Sequence, residues 1–508
     1  MNDQDCQGLV PLRHRSYTTV VILLFFHTFF FLLSAAPSQS TERVFQAGAA
    51  TADITPPLGS LIVGGWRPVP AAHIHDPLMA RCLVLDDGQT RVAIVVVDSV
   101  AVPRHVFDRA KRLINEATGL STKNMLMSAT HTHSGPNPWS EPERADLFWG
   151  YLSLSTELTD YQKFMAERIA DGVRSALNNL EPAKIGWGVA RAPEHVFSRR
   201  WFLRSGVLLP NPHGGYDEVQ MNPGVGNADL VRAAGPTDPE VSFISVQSRQ
   251  GRPIALLANY SLHYVGGVSQ GEISADYFGI FASKIAEIIG ARKLDPPFVG
   301  IMSNGTSGDI NNINWGSKAE PRRYPPYRKM EIVASSVAAD VYQEYLTLEY
   351  QEWVPLRMVE REIEMKMRVP SPEQLEYARQ IMNKPDSEPK HHSQEQTYAE
   401  MMLGIADYPE SIPFPLQAVA IGDLGIAAIP GEVFAETGLE LKRRSPFLQT
   451  FTISLANGSY GYIPTPEQHQ LGGYETWLGV NRIEIRATNK IVATLLDMFQ
   501  ELSSLVRE

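Results

Sequence analysis

Apolar and polar positions alternate along this chain in two rhythms, a period near two and a period near 3.6, and the switches between them predict the elements. In "ARCLVLDDGQTRVAIVVVD" (80–98) two apolar runs meet at Asp86-Asp87-Gly88, which predicts a hairpin. Phe107, Ala110, Leu113, Ile114 and Ala117 then recur at helical spacing within 104–118. The short run 123–130 predicts a buried strand that delivers His131 and His133 at or just past its end. An amphipathic helix follows over 159–180 and stops before Pro182. The second half repeats the alternation. It predicts strands over 241–248 and 253–265 around Arg249-Gln250-Gly251, a helix over 277–290, a strand over 298–305 and a helix over 328–346. A hairpin over 417–434 turns at Gly422-Asp423, a strand covers 450–463, and a helix over 482–505 closes the chain. The expected fold is mixed α/β (α+β): one large domain over 45–508, with β-sheets flanked by helices. No short sequence period marks a repeat array.

Three segments break the pattern. The stretches 205–240 and 315–328 are rich in Pro and Gly, and 384–397 is polar and loop-like. Loops of that length often cover a site. Before residue 45, Arg13, His14 and Arg15 precede the apolar run 17–36, which ends in Ser34-Ala35-Ala36. That order predicts an export signal over 1–40, to the periplasm or the outside, with an uncleaved membrane anchor as the competing reading. The chain has 508 residues, 44% of them hydrophobic, and a formal net charge of -11. The acidic balance argues against nucleic acid as a main partner. Of the two cysteines, Cys6 precedes the apolar run, so Cys82 is expected to stand without a disulfide.

The chemistry-bearing residues gather where apolar runs end, and sites in α/β folds commonly do so. His131 and His133 follow one run, His263 another, and Thr306, Ser307 and Asp309 a third. Glu432 follows Ile429-Pro430-Gly431, and Tyr462 follows "SLANGSYG". In an extended segment His131 and His133 would point the same way. The pair reads equally as a polar strand end or as two groups facing one cavity. Glu432 alone reads as a turn carboxylate. Together, two histidines and a glutamate supply the donors that suit Zn²⁺, which would acidify a bound water. "SNGTSGDINNIN" (303–314) is a small-residue loop able to turn backbone N–H groups toward an oxyanion, and equally a tight structural turn. It carries neither a phosphate-binding Gly-Lys-Ser/Thr nor a Gly-x-Ser-x-Gly elbow.

With "AGAATADITPP" (47–57), "SATHTHSGP" (128–136), "ISADYFG" (273–279), "SGDIN" (307–311), "IPGEVF" (429–434) and "YIPTPEQHQLGGYE" (462–475) in order, the chain resembles the N-terminal catalytic domain of neutral/alkaline, non-lysosomal ceramidases. Those are zinc amidohydrolases, and the resemblance spans nearly all of 45–508. It implies one zinc ion held by His131, His263, Glu432 and Tyr462, with His133 as the neighbouring active-site histidine. It implies that Tyr474 contacts the scissile amide, and it matches Arg199, or Arg200 beside it, to the family's site arginine. The family's Gly-Asp-Val-Ser-Pro-Asn reads Gly308-Asp309-Ile310-Asn311-Asn312-Ile313 here. Asn311 thus replaces a serine; it cannot act as an alkoxide but can donate a hydrogen bond to an oxyanion. Asp309 and Asn311 remain in the candidate catalytic set. The family's C-terminal immunoglobulin-like domain has no counterpart before residue 508. The segment 204–227 also differs from the family's.

The resulting expectation is hydrolysis of a lipid-like N-acyl amine by metal-activated water, with peripheral membrane contact and no identifiable protein partner. Two rival readings stand. One is a catalytically weak binding protein, favoured by Asn311. The other is a metal-dependent esterase or phosphoesterase in which Asp98, Asp276 and Asp309 hold a second ion.

Overall fold

The strand Arg91–Val97 shows how the sheets are buried: Val92, Ile94 and Val96 enter one apolar core, and Ala93, Val95 and Val97 enter another. Successive strand side chains point to opposite faces, so a strand that is apolar throughout must be covered on both. The computed structural model describes residues 43–63, 68–136, 157–319, 322–385 and 387–507. The expected export segment and Cys6 lie outside the described residues. The described residues fall in one unit, Arg43–Glu508.

One sheet has eight strands, in the order Val299–Asn304, Pro253–Tyr260, Glu240–Ser248, Glu181–Arg191, Gln46–Asp53, Met79–Asp86, Arg91–Val97, Met125–Ala129. A second has four, in the order Leu356–Lys366, Ser411–Ile421, Leu424–Ala428, Gln449–Ile453. Their inner faces share a core in which Ile94, Ile244 and Ile301 of the first sheet meet Val419, Ile426 and Phe451 of the second. The helices Arg104–Thr118, Asp160–Asn178, Asp276–Ile288 and Arg328–Tyr345 cover the far face of the large sheet. Ala487–Arg507 covers the far face of the small one. The layers therefore run helix, sheet, sheet, helix, and the expected mixed α/β class is the one observed.

One strand pattern occurs three times. Two antiparallel pairings are followed by a helix and a parallel pairing. Met125–Ala129 closes the first unit beside Arg91–Val97, and Val299–Asn304 closes the second beside Pro253–Tyr260. Gln449–Ile453 closes the third beside Leu424–Ala428. The units exceed 80 residues each, with unequal loops, so no short sequence period betrays them.

The hairpins at 86–91 and 421–424 and the helix at 159, where Thr159 and Gln162 form a capping box, sit where the pattern predicts. Several boundaries differ. The strand expected over 450–463 ends at Ile453, because Leu455, Asn457 and Gly458 take positive φ and bend the chain away. The strand expected over 253–265 ends at Tyr260, and the last helix begins at Ala487 rather than 482. Residues 395–397, read as loop, begin the helix Glu395–Gly404. Cys82 is a buried free thiol in the sheet, and burial pushes its pKa up to about 12, which makes it unreactive. Among the described residues no helix is long and apolar enough to cross a membrane.

Candidate metal centre and active site

Each unit sends a chemically active side chain from just past its third or fourth strand to one place. His131 follows Met125–Ala129, His263 follows Pro253–Tyr260, and Glu432 follows Leu424–Ala428. The strand carrying the histidine pair has already ended when it reaches them. His131 sits at φ 78, a conformation a non-glycine residue rarely adopts. The two side chains converge because of that kink, not because an extended strand points them the same way. Holding such a residue costs about 1–3 kcal/mol and is typical of sites where geometry matters.

Main-chain carbonyls orient both deep rings. His131 Nδ1 lies 2.6 Å from Val100 O, and His263 Nδ1 lies 3.1 Å from Ser307 O. With those protons directed at the carbonyls, each Nε2 is left with a lone pair facing inward. The two Nε2 atoms are 3.0 Å apart, and His133 Nε2 is 3.2 Å from His131 Nε2. Glu432 Oε2 is 3.3 Å from His131 Nε2 and 4.0 Å from His263 Nε2. Tetrahedral ligands bonded at 2.0–2.1 Å stand about 3.3–3.4 Å apart; the first three separations are near that length and the Glu432–His263 one is longer. Burial, with His131 and Arg199 nearby, holds His263 and His133 well below the ordinary imidazole range. The rings of His263 and His133 are therefore neutral. Glu432 Oε2 is itself buried without a hydrogen-bond partner. Buried lone pairs converging in this way call for a cation, so the residues fit a metal ion. His131, His133 and His263 form the compact group able to hold one among the described residues. His133, matched above to a neighbour of the expected ligands, belongs to this group as well.

Glu432 and Tyr462 are brought side by side by a short parallel pairing of Glu432–Val433 with Tyr462–Ile463. Glycines make the close approach possible. A side chain on Gly431 would strike Ile463 at 2.5 Å, and one on Gly308 would strike the Glu432 carbonyl at 2.5 Å. Burial and the Glu432 charge push the Tyr462 phenol up, so it is protonated, and it meets the Arg199 guanidinium. Tyr474 stands next, its ring 5.6 Å from that of Tyr462.

Arg199 and Arg200 divide at this point. Arg199 donates from Nε to Glu475 Oε1 at 2.8 Å and from Nη2 to Gly308 O at 2.8 Å, and its Cζ lies 5.3 Å from the Tyr462 ring centre. Arg200 pairs with the other oxygen of Glu475 at 2.7 Å, then turns to Gln468 and to Gly472 O. Neighbouring residues of an extended segment face opposite ways, so Arg199 faces the cluster and Arg200 the scaffold. Burial pushes the Glu475 carboxyl up, but Arg200 and Arg199 outweigh that and hold it below the usual carboxylate range.

The aspartates and Asn311 are placed differently. Asp309 Oδ1 accepts from Ala435 N, at the start of the helix Ala435–Arg444, while Oδ2 is buried without a partner. Burial pushes its pKa up to about 7. Asp98 pairs with Arg81 at 2.6 Å, and Asp276 accepts from Val265 N, Gly266 N and Tyr277 N. These three carboxylates do not gather into a second metal group. Asn311 donates to Asn222 Oδ1 and accepts from Ile313 N, so its amide is engaged in the loop rather than with the histidines.

The sequence reading missed two contributors. Tyr264 stacks on His133 with ring centres 3.8 Å apart and planes at 19°, and its place directly after His263 was the available signal. Glu475 anchors both arginines, and nothing in the sequence links it to partners 276 and 275 residues away. A cavity of about 340 Å³ beside Tyr474 is lined by parts of 208–221 and 392–394, segments expected to be loops.

Residues 45–322 match the family model described as neutral/alkaline non-lysosomal ceramidase, N-terminal. In fold, the chain resembles the crystal structure of neutral ceramidase from Pseudomonas aeruginosa, with a TM-score of 0.67 and 17% identity over 91% of this chain and 75% of that one. It also resembles a ceramidase complexed with C2, with a TM-score of 0.65 and 16% identity over 91% of this chain and 76% of that one.

Proposed function

Because this chain belongs to the neutral/alkaline non-lysosomal ceramidase family and is a ceramidase-like hydrolase, we propose that it is a zinc-dependent amidohydrolase that cleaves the N-acyl amide of ceramide or a related lipid. One water adds across the C–N bond, and a fatty acid and a sphingoid or other amine leave. The observation that carries this reading is the convergence of His131 Nε2, His263 Nε2 and the unpartnered Glu432 Oε2 in a buried space.

His131, His263 and Glu432 would hold the ion, with the Tyr462 phenol beside them. A zinc ion bound there would supply a water acidified to a nucleophile near neutral pH and would polarise the amide carbonyl. His133 Nε2, neutral and braced by Tyr264, accepts the proton of the attacking water and returns it to the departing nitrogen. Arg199, fixed by Glu475 and Gly308 O, keeps a positive charge at the site for the developing oxyanion. The Tyr474 hydroxyl orients the amide. Asn311 does not weigh against this scheme, since a water nucleophile needs no serine. The apolar segment 17–36 supports export or anchoring, and a lipid substrate implies contact with a membrane surface.

A panel of ceramides, other N-acyl amines and simple esters, offered to wild type and His131→Ala, tests the reading. Release of fatty acid from N-acyl amines by wild type alone is expected. Turnover of esters only, or unchanged amide turnover by the variant, would overturn it.

A further inference from the structure

Asp217 lines the 340 Å³ cavity beside Tyr474, and it is the one carboxylate among the residues that do so. Its Oδ2 accepts from Trp477 Nε1 at 2.8 Å and its Oδ1 from Asn211 Nδ2 at 3.0 Å. Gly472 packs so tightly on Oδ1 that any side chain there would strike it. Three neutral groups thus fix the carboxylate, and among the described residues no lysine or arginine forms an ion pair with it. Several other engaged acids of this fold are paired with cations. Glu475 has Arg199 and Arg200, Asp98 has Arg81, and Glu395 has Lys384. His392, also in the cavity wall, does not supply the missing charge, because burial lowers its pKa below the ordinary imidazole range.

Besides Gln220 and Gln394, the rest of the wall is aromatic and aliphatic. The Trp477 ring centre is 5.2 Å from that of His392 and 5.8 Å from that of Tyr474, and Leu209 and Met221 add apolar surface. A fixed negative charge among aromatic rings, in a space with a single carboxylate, is the chemistry that holds an organic ammonium group. We propose that this cavity binds an organic ammonium carried by the substrate, with Asp217 as its counter-charge and Trp477, Tyr474 and His392 as its walls. The inference rests on the hydrolase reading in one respect: Tyr474 is common to the cavity and the histidine site, so the ammonium is part of the molecule being cleaved. Such a substrate is an N-acyl amine with a second, cationic nitrogen away from the scissile bond.

The test uses two N-acyl amines that share one acyl chain and one amide, the first ending in trimethylammonium and the second in its neutral tert-butyl isostere. Wild type should cleave the cationic compound with a kcat/KM at least about tenfold higher, and the ratio should fall toward one in Asp217→Asn. Equal rates in wild type, or an undiminished ratio in the variant, would overturn the proposal and leave the hydrolase reading standing. Calorimetry with butyltrimethylammonium gives a readout independent of turnover. Binding to wild type that weakens about tenfold in Asp217→Asn supports the proposal even if neither compound is hydrolysed, whereas no binding, or equal binding, overturns it. Should Asp217→Asn fail to fold by thermal unfolding, Trp477→Leu must lower both the ratio and the binding, and unchanged values there would overturn the proposal.

Discussion

Tyr474 is shared by two neighbouring regions that are held in opposite ways. On one side, the histidine cluster is fixed by main chain and buried ion pairs. Val100 O and Ser307 O orient two rings, Gly308 and Gly431 allow close approach, and Glu475 clamps Arg199. On the other side, the cavity is walled by side chains from the excursion 208–221 and from 392–394, with Leu208 71% exposed at its edge. The groups proposed to react thus stand at strand ends of a buried double sheet, and those proposed to select the substrate stand on segments over it. Changes in the first region should abolish the reaction, and changes in the second should redirect it.

That contrast can be broken from its strong end first. His263→Ala should lower kcat/KM by at least about a thousandfold, roughly 4 kcal/mol of transition-state stabilisation, and should lower bound metal in elemental analysis. An active, metal-loaded His263→Ala would remove the basis for separating the two regions. Glu475→Gln should cost about 3–5 kcal/mol in denaturant unfolding, because it leaves two buried guanidinium groups short of a counter-charge. The sign with pH follows from its depressed folded pKa. The stability Glu475 contributes is full above its unfolded pKa, near about 4.3, and is lost as pH falls through the lower folded value. The acid limb of the unfolding profile should therefore flatten in Glu475→Gln.

Asp309 sharpens the comparison because it lies near the candidate site while its Oδ1 accepts from Ala435 N at the start of a helix. Its folded pKa of about 7 is above its unfolded value, so its stabilising effect is full at low pH and is lost as pH rises through about 7. Asp309→Asn should gain on the order of 2 kcal/mol of stability at pH 8, with activity within a few fold of wild type. A hundredfold loss of activity would instead put the carboxylate in the reaction. The Asp217→Asn ratio described above is a tenfold effect. Smallest is Asn311→Ser, which restores the serine of related sequences; kcat/KM should change by less than about threefold, and a tenfold gain would show that the hydroxyl takes part.

Much of this was legible in the residues. Val92 to Val97, apolar at every position, announces a strand buried on both faces, and "THTHSGP" together with Pro430-Gly431-Glu432 points to the residues that converge at the candidate site, through the family resemblance. The strand Gln46–Asp53 did not stand out, because "QAGAATAD" has no large apolar side chain and is strand only through its pairing with Met79–Asp86. Leu356–Lys366 was hidden by its charges, half-exposed on the outer edge of the small sheet. The choice between Arg199 and Arg200 depends on where one short strand begins, and Glu475 on a contact that only the tertiary fold makes.

The most direct test of the central claim is zinc titration into chelator-stripped protein while fatty-acid release from an N-acyl amine is followed. The account predicts no release without metal, recovery that saturates at one zinc per chain, and no recovery in His263→Ala. Full release from verified metal-free protein would contradict it.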